Sequence, residues 1–332
     1  MTSDVTARAR AFVAERLPEA RGLGQALAEL IDDPDAFVAV LREGLERLAD
    51  DEYAREQERV APGSGAVFGV RWPLIDAVAG QLRTPLRESS SSSALWLAQL
   101  LAVGEEREVR LFSHVPLHRA LPADPERSWQ LMRRLARAAG DWISVDTLAD
   151  LYAQGILLER FRWAELEQLV YSAHRWERRL VGSTIARLPY QLQRHQRPSL
   201  AGTPALMIIK SLIGDADEQV QKSLSWALRE WNAVDPQGVE RLLLDEAELA
   251  ARTDDGHRAW VIRDSLGPQN PSFAADLRAT LEGVRRRHDA PTTSRASAIV
   301  AGFSEGGTPL DDLSARAVAT QGDRQRAAGR SA

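Results

Sequence analysis

A carboxylate and an indole stand together on one flank of a predicted helix near the middle of the chain. Asp146 follows Trp142 by four residues, so both side chains project from the same side of the helix. The core stripe of this helix, Val145, Leu148 and Leu151, lies on the opposite side. Trp142 and Asp146 therefore lie off the core, where they could contact a ligand.

A second indole lies off the core stripe of a later helix. Trp226 sits away from the stripe that Val220, Leu224 and Leu228 form. Lys222 precedes it by four residues and Arg229 follows it by three, so two cations flank the ring. The alternative is an aromatic side chain that packs against a neighbouring helix pair, with solvated charges around it.

Between these two helices, Arg175 and Arg179 fall on the far side of a third apolar stripe, beside Gly182. A small residue there lets another chain approach closely. Stacked helix pairs place equivalent positions on one concave face. Two indoles, one carboxylate and several arginines on such a face suit a charged polymer better than a small metabolite, which needs a closed apolar pocket.

Other arrangements of potentially catalytic residues give no consistent site. Gly63, Gly65 and Gly69 do not follow a strand and lack the spacing of a phosphate-binding loop. His114 and His118 have a proline between them and no helical metal-binding pattern around them. The chain has no cysteine, which excludes thiolate ligands and disulfides. The sequence predicts no metal and no cofactor.

The elements that position these side chains are predicted to be helices throughout. Amphipathic segments of helical period recur along the chain, and strand-like alternation is nearly absent. Asp124, Pro125 and Glu126 form a typical helix start, with an N-cap, a first-turn proline and an acid. The predicted fold class is all-α, an α-solenoid of HEAT-like helix pairs (an α-α superhelix). A non-repeating helical bundle is the alternative.

Composition divides the chain into three parts. Residues 1–60 are predicted to form an N-terminal helical cap, and residues 61–288 the HEAT-like repeat domain. A run of five serines, 89–93, has the composition of a linker. Residues 289–332, rich in Ala, Gly, Ser, Thr and Arg, are predicted to be a disordered tail.

Charge and hydropathy limit the location and the partners. No segment has the apolar length of a membrane span or of a signal peptide, so we expect a cytoplasmic protein with no membrane partner. The formal charge of −5 disfavours nucleic acid as a partner, but its distribution matters more than its total. Only Lys210 and Lys222 of the 42 basic residues are lysines. The rest are arginines, which can bind phosphates in a bidentate way.

These segments resemble those of the AlkD-like DNA alkylation repair glycosylases, a family of HEAT-like repeat proteins. The matching motifs are DWISVD with Trp142 and Asp146, RWERR with Arg179, and QKSLSWALREW with Trp226 and Arg229. A weaker match is FGVRWP at residues 68–73. The similarity covers residues 66–270 in the family's order, with residues 191–204 as a longer loop between the second and third motifs.

The resemblance implies an enzyme that excises cationic N3- or N7-alkylated purines from duplex DNA. Asp146 would stabilise the positive charge that develops on the deoxyribose and orient the attacking water, and Trp142 and Trp226 would flank the sugar. Arg179 and Arg229 would hold phosphates. With the neighbouring Arg175 and Lys222, they form the predicted DNA-binding set. The expected partner is double-stranded DNA that contains alkylated bases, bound by a monomer.

Two other functions remain open at this level. The same arginines could grip phosphates in a noncatalytic protein that binds DNA structure. A protein-binding HEAT scaffold is the third interpretation, and it predicts no continuous positive strip beside Trp142, Asp146 and Trp226.

Overall fold

The fold was obtained as a computed structural model, which describes the backbone of residues 2–306 and the side chains of residues 6–302. It is 76% helical, in agreement with the prediction from the amphipathic pattern that more than about 60% of the residues are helical. The described residues contain no strand, only an isolated bridge between Ala66 and Glu106. The predicted all-α class is confirmed.

The helices of the first half are closely spaced, and α1, with 27 residues, is the longest of them. They are α1 (Thr2–Ala28), α2 (Pro34–Arg47), α3 (Asp51–Val60), α4 (Trp72–Glu88), α5 (Ser91–Ala102), α6 (Arg107–Phe112), α7 (His114–Ala123) and α8 (Pro125–Ala138).

The second half continues the same pattern. Its helices are α9 (Trp142–Leu158), α10 (Arg162–Gln168), α11 (Arg175–Arg187), α12 (Ala205–Leu212), α13 (Glu218–Trp231), α14 (Pro236–Thr253), α15 (Gly256–Ser265), α16 (Pro271–Thr280) and α17 (Arg295–Gly306). Three 3₁₀ segments, Leu169–Tyr171, Leu188–Gln191 and Arg194–Leu200, lie in the connections.

Aspartates fix where many of these helices begin. The carboxylate of Asp141 accepts hydrogen bonds from the amides of Ile143 and Ser144 at the start of α9. Asp217 does the same for two amides at the start of α13. Asp124 caps α8 as predicted from its sequence. Such caps satisfy amides that have no partner within the helix, so they determine which residue begins each first turn.

The helices stack in two rows. The first row comprises α1, α4, α7, α9, α11, α13 and α15, and each of these helices contacts the next. The second row contains α8, α10, α12, α14 and α16, which pack behind it. This side-by-side stacking of helix pairs is the solenoid-like arrangement that the sequence predicts. It places α9, α11 and α13, which carry the candidate site residues, next to one another.

The apolar core falls into two large clusters along the solenoid. One extends from Ala20 in α1 to Phe112 in α6, and the other from Ala94 in α5 to Ala296 in α17. The first cluster crosses residue 60, because α1 packs along α4. The separation of an N-terminal cap at residue 60 therefore stays a prediction.

Two predictions from composition are wrong. The serine run does not form a linker, because Ser90 caps α5 through the amide of Ser93 and the helix begins at Ser91. Disorder does not begin at residue 289 either. The amide of Thr293 donates to the carbonyl of Gly214 at 2.9 Å, and Ala296 is buried at the start of α17. The remainder of the predicted tail, residues 307–332, lies outside the described residues.

Among the described residues, no helix combines the length and apolar character needed to cross a lipid bilayer.

A buried histidine makes the stability of this fold depend on pH. His114 lies at the start of α7, where burial lowers its pKa from 6.5 to about 3. The unfolded chain takes up this proton below about pH 6.5, whereas the folded chain stays neutral there. Stability is therefore lost as the pH falls from 6.5 towards 3, by up to about 1.4 kcal/mol per pH unit.

We expect His114→Leu to reduce this acid-side slope. The free energy of unfolding, measured in urea at pH 7, 6 and 5, should fall less steeply in the variant than in the wild-type protein. His288→Leu is the control, because His288 is fully exposed. Equal slopes in the wild type and in His114→Leu would show that His114 does not cause the effect.

Candidate active site

Asp146 is held one turn inside α9. Asp141 begins the helix and also accepts a hydrogen bond from the Ser144 hydroxyl at 2.7 Å, which strengthens the first turn. Val145 and Leu148 are buried, as their stripe predicts, while the Asp146 side chain keeps 16% of its surface exposed. The carboxylate therefore lies at the edge of the core, with limited access from outside.

Three donors fix the orientation of this carboxylate. Arg179 on α11 forms a bidentate pair with it, Nε to Oδ1 at 3.1 Å and Nη2 to Oδ2 at 2.7 Å. Ser183, one turn later on α11, donates its hydroxyl to Oδ1 at 2.6 Å. Bidentate pairs of arginine and carboxylate combine charge with a defined geometry. The side chains of Arg179 and Ser183 thus give the carboxylate a defined orientation.

The same arginine reaches the next helix of the first row. Its Nη1 donates to the backbone carbonyl of Gln219 at 2.8 Å and to the side-chain oxygen of Gln219 at 3.2 Å. Asp146, Arg179, Ser183 and Gln219, hereafter the Asp146 cluster, thereby join α9, α11 and α13. Arg179 is only 7% exposed. Its geometry differs from the sequence expectation of a phosphate contact, because its guanidinium is directed onto Asp146.

Trp142 is half-buried at the first position of α9, and its ring is also fixed. Its indole Nε1 donates to the carbonyl of Val60 at 3.0 Å, at the end of α3. The ring packs against a small cluster that contains Ala61 and Ile143. The N-terminal helices thus position one of the two candidate indoles.

Trp226 lies in a second polar cluster, on the side of α13 that faces the end of α11. The Arg187 guanidinium lies 5.3 Å above its ring, and its Nε1 donates to Glu230 at 3.2 Å. A hydrogen bond to Glu230 raises the pKa of Tyr190, and the Arg197 guanidinium lies 5.5 Å from the Tyr190 ring. Arg187, rather than Lys222 or Arg229, is therefore the cation on the indole.

Three of the four predicted DNA-binding residues carry ion pairs at the surface, where Arg175 and Lys222 are exposed and Arg229 is partly exposed. Lys222 pairs with Glu218 at 2.6 Å, Arg229 with Asp264 at 2.7 Å, and Arg175 with Asp217 at 3.7 Å. Exposed pairs of this kind contribute little to stability, so exchange of the acidic partner for a phosphate costs little. Their contact with DNA stays a prediction.

Five residues of these two clusters were not identified from the sequence: Ser183, Arg187, Tyr190, Gln219 and Glu230. Ser183 and Arg187 follow Arg179 at intervals of four, so helical periodicity places all three on one side of α11. That signal was present and could have found them. Tyr190 lies in the 3₁₀ segment Leu188–Gln191, just before the longer loop, and its partner Glu230 is on α13, so no local pattern connects the two.

Gly182 sets how closely α11 and α13 approach each other. A Cβ atom at this position would lie 2.7 Å from the backbone carbonyl carbon of Ser223. The small residue therefore admits a neighbouring helix of the same protein, and not a second chain as the sequence suggested. Because Arg179 and Gln219 span the same two helices, this spacing also sets the geometry of the Asp146 cluster.

We expect Gly182→Ala to separate α11 from α13. Overpacking of this kind costs about 1–3 kcal/mol of stability. Urea unfolding measures this loss, and the matched control is Gly80→Ala in α4, where an added Cβ meets open space. The control should be as stable as the wild type or more so, since alanine favours helix. Equal stability of both variants would contradict close packing at Gly182.

Among the residues that the structure describes, no group of three or more His, Asp or Glu side chains has the arrangement to hold a metal ion.

Comparison with known proteins identifies the family. The model of the DNA alkylation repair enzyme family matches residues 41–254, more than half of the chain. This protein belongs to the DNA alkylation repair enzyme family. The match contains the whole Asp146 cluster and both candidate indoles, so the resemblance found in the motifs is confirmed.

A solved structure shows the same fold. It is described as a predicted DNA alkylation repair enzyme from Enterococcus faecalis, with a TM-score of 0.50 and 16% sequence identity. The similarity covers 67% of this chain and 97% of that chain. No curated protein matches the sequence. Family membership supports a role in DNA repair, with DNA as the partner.

Proposed function

We propose that this family member is a DNA glycosylase that hydrolyses the N-glycosidic bond of cationic N3- or N7-alkylated purines in duplex DNA. The observation that supports this most strongly is the Asp146 carboxylate, which is fixed by three donors and still partly exposed. Trp142 lies one turn before it on α9. A preoriented anion at the edge of a helical row is suited to stabilise positive charge on a bound ligand.

The proposed reaction begins with an N-alkylated purine that already carries a positive charge. As the bond between C1′ and the base nitrogen breaks, its electron pair neutralises the base, and positive charge develops on the deoxyribose ring. Asp146 stabilises that charge. A water molecule adds to C1′ and releases a proton, which leaves the free base and an abasic site.

In this mechanism Arg179 and Ser183 are positioning residues. Their hydrogen bonds hold the Asp146 oxygens still, so little reorganisation is needed when charge develops on the sugar. Trp142 and Trp226 flank the sugar, each held by a hydrogen bond of its own Nε1. Arg175 and Lys222 contact phosphates, because their side chains are exposed and their ion pairs exchange readily. Arg229, which is partly exposed, contacts a phosphate beside them.

One observation favours the noncatalytic, DNA-binding alternative. Both oxygens of Asp146 already accept hydrogen bonds, and a full guanidinium charge compensates the carboxylate. In this alternative, the only role of the ion pair between Asp146 and Arg179 is the structural one of joining α9 to α11. In that case the site binds duplex DNA without breaking a bond in it.

Product analysis on methylated duplex DNA tests the proposal. With protein in excess over a duplex that carries 7-methylguanine, we expect free 7-methylguanine and one abasic site per lesion. Binding of the duplex without release of base, on both 7-methylguanine and 3-methyladenine substrates, would support the noncatalytic alternative. A protein that binds neither damaged nor undamaged duplex would fit the protein-binding scaffold.

A further inference from the structure

A cavity of about 640 Å³ lies between α4 and α7, outside the candidate active site. Its lining is partly apolar and partly cationic. The apolar lining residues are Ala79, Leu86, Val115 and Pro122, and the polar ones are Arg83, Arg87, His118 and Arg119. None of these lining residues is a carboxylate.

The three arginines of this cavity differ in how they are held. Arg119 donates to the carbonyls of Leu86 and Ser89 at 3.0 and 3.2 Å, so its guanidinium is fixed at the end of α4. Arg83 and Arg87 are exposed, stand one turn apart on α4, and have no ion-pair partner among the described residues. Two unpaired guanidinium groups side by side repel each other, and an anion between them removes that repulsion.

The cavity shares one side of the solenoid with the Asp146 cluster. His118 contacts α9 through Gln154 at 3.1 Å, and its Nε2 lies 3.9 Å from Asp150. Asp146, Asp150 and Gln154 follow one another at intervals of four along the same side of α9. The span from Asp146 to Gln154 is about 12 Å along the helix axis, which corresponds to a few nucleotides of a DNA strand.

We propose that this cavity binds a phosphate group of the DNA strand, at a distance of a few nucleotides from the base on which the Asp146 cluster acts. Arg83 and Arg87 supply the exposed charge, and Arg119 supplies a fixed guanidinium at the wall. The apolar part of the lining accepts the deoxyribose that accompanies the phosphate. The choice of DNA as the source of the phosphate rests on the proposed function, while the anion site itself rests on the side chains of the cavity.

The test uses an Arg83→Ala/Arg87→Ala double variant of the full chain. Its control is Arg241→Ala/Arg252→Ala, which removes the same charge from two exposed positions on α14, in the second row. The affinity for an undamaged duplex is measured over a series of salt concentrations. The salt slope is the change of log affinity with log salt concentration. We expect it to fall by about 0.9 for each phosphate that is no longer bound by the Arg83→Ala/Arg87→Ala variant, hereafter the α4 variant. The slope of the control should stay near the wild-type value.

Titration with inorganic phosphate distinguishes the two sources of a phosphate group. A decrease of duplex affinity and of salt slope in the α4 variant alone supports a DNA contact. If the α4 variant no longer binds inorganic phosphate but keeps its affinity for the duplex, the cavity binds a free phosphate compound, and the DNA assignment is overturned. Unchanged binding of both ligands would overturn the anion site.

The same variants separate this proposal from the proposed function. At subsaturating protein, base release by the Arg83→Ala/Arg87→Ala variant should slow in step with its weaker duplex binding, whereas the Arg241→Ala/Arg252→Ala control should keep the wild-type rate. A wild-type protein that releases no base, but whose duplex binding depends on Arg83 and Arg87, would refute the glycosylase and keep the phosphate site.

Discussion

Replacing Asp146 with asparagine should lower the single-turnover rate of base release by about a hundredfold, which is about 3 kcal/mol of transition-state stabilisation. Asparagine keeps the shape of the side chain and can still accept a hydrogen bond from Ser183. It lacks the negative charge that stabilises the sugar as the base departs. Excision of 7-methylguanine from a duplex, with protein in excess, measures the effect.

The matched control is Asp150→Asn, one turn later on α9. Asp150 is 35% exposed and accepts a hydrogen bond from Gln191 at 2.7 Å, but it does not contact the Arg179 pair. This variant should excise the base at close to the wild-type rate. Equal rates of base release for Asp146→Asn and the wild type would show that the Asp146 charge has no role in the chemical step.

Replacing Arg179 with methionine should lower both stability and base release. The variant leaves the Asp146 carboxylate largely buried without its charged partner, which costs about 3 kcal/mol of unfolding free energy. It also releases the carboxylate from its fixed orientation, so base release slows by at least tenfold. Urea unfolding and single-turnover excision measure the two effects on the same protein samples.

The salt dependence of duplex binding shows which role Arg179 has. A positioning residue leaves the salt slope unchanged when it is replaced, whereas a phosphate contact lowers it by about 0.9. The comparison variant is Arg175→Met, one turn earlier on α11, whose side chain is 55% exposed. We expect that variant to be stable and to have a smaller salt slope. A smaller salt slope for Arg179→Met and an unchanged slope for Arg175→Met would instead show that Arg179 contacts a phosphate, as the sequence predicts.

The helices and their buried faces follow from local sequence. The stripes of α9 and α13 repeat at helical intervals, and aspartates mark the starts of both helices, so each could be read from a few consecutive residues. The same periodicity placed Trp142 and Asp146 off the core. Their pairing partners could not be read in this way, because Arg179 is 33 residues from Asp146 along the chain.

Composition was a poorer guide than capping. The serines at 89–93 resemble a linker, yet one of them forms a side-chain bond that begins a helix. The segment after residue 289 is rich in small residues, but its backbone pairs with Gly214, which is distant in sequence. Arg179 shows the same limit for charge, since a cation off the core stripe can contact a phosphate or a carboxylate. Only the position of α9 beside α11 shows that the carboxylate is within reach.

The central claim is that Asp146 and Arg179 act as one unit in base release. A double-mutant cycle tests it most directly, through the single-turnover rates of the wild type, Asp146→Asn, Arg179→Met and the double variant. If Arg179 acts only by orienting the Asp146 charge, its replacement should have little further effect once that charge is gone, and the double variant should release base about as fast as Asp146→Asn alone. Effects that multiply would show that the two residues act independently and would contradict the claim.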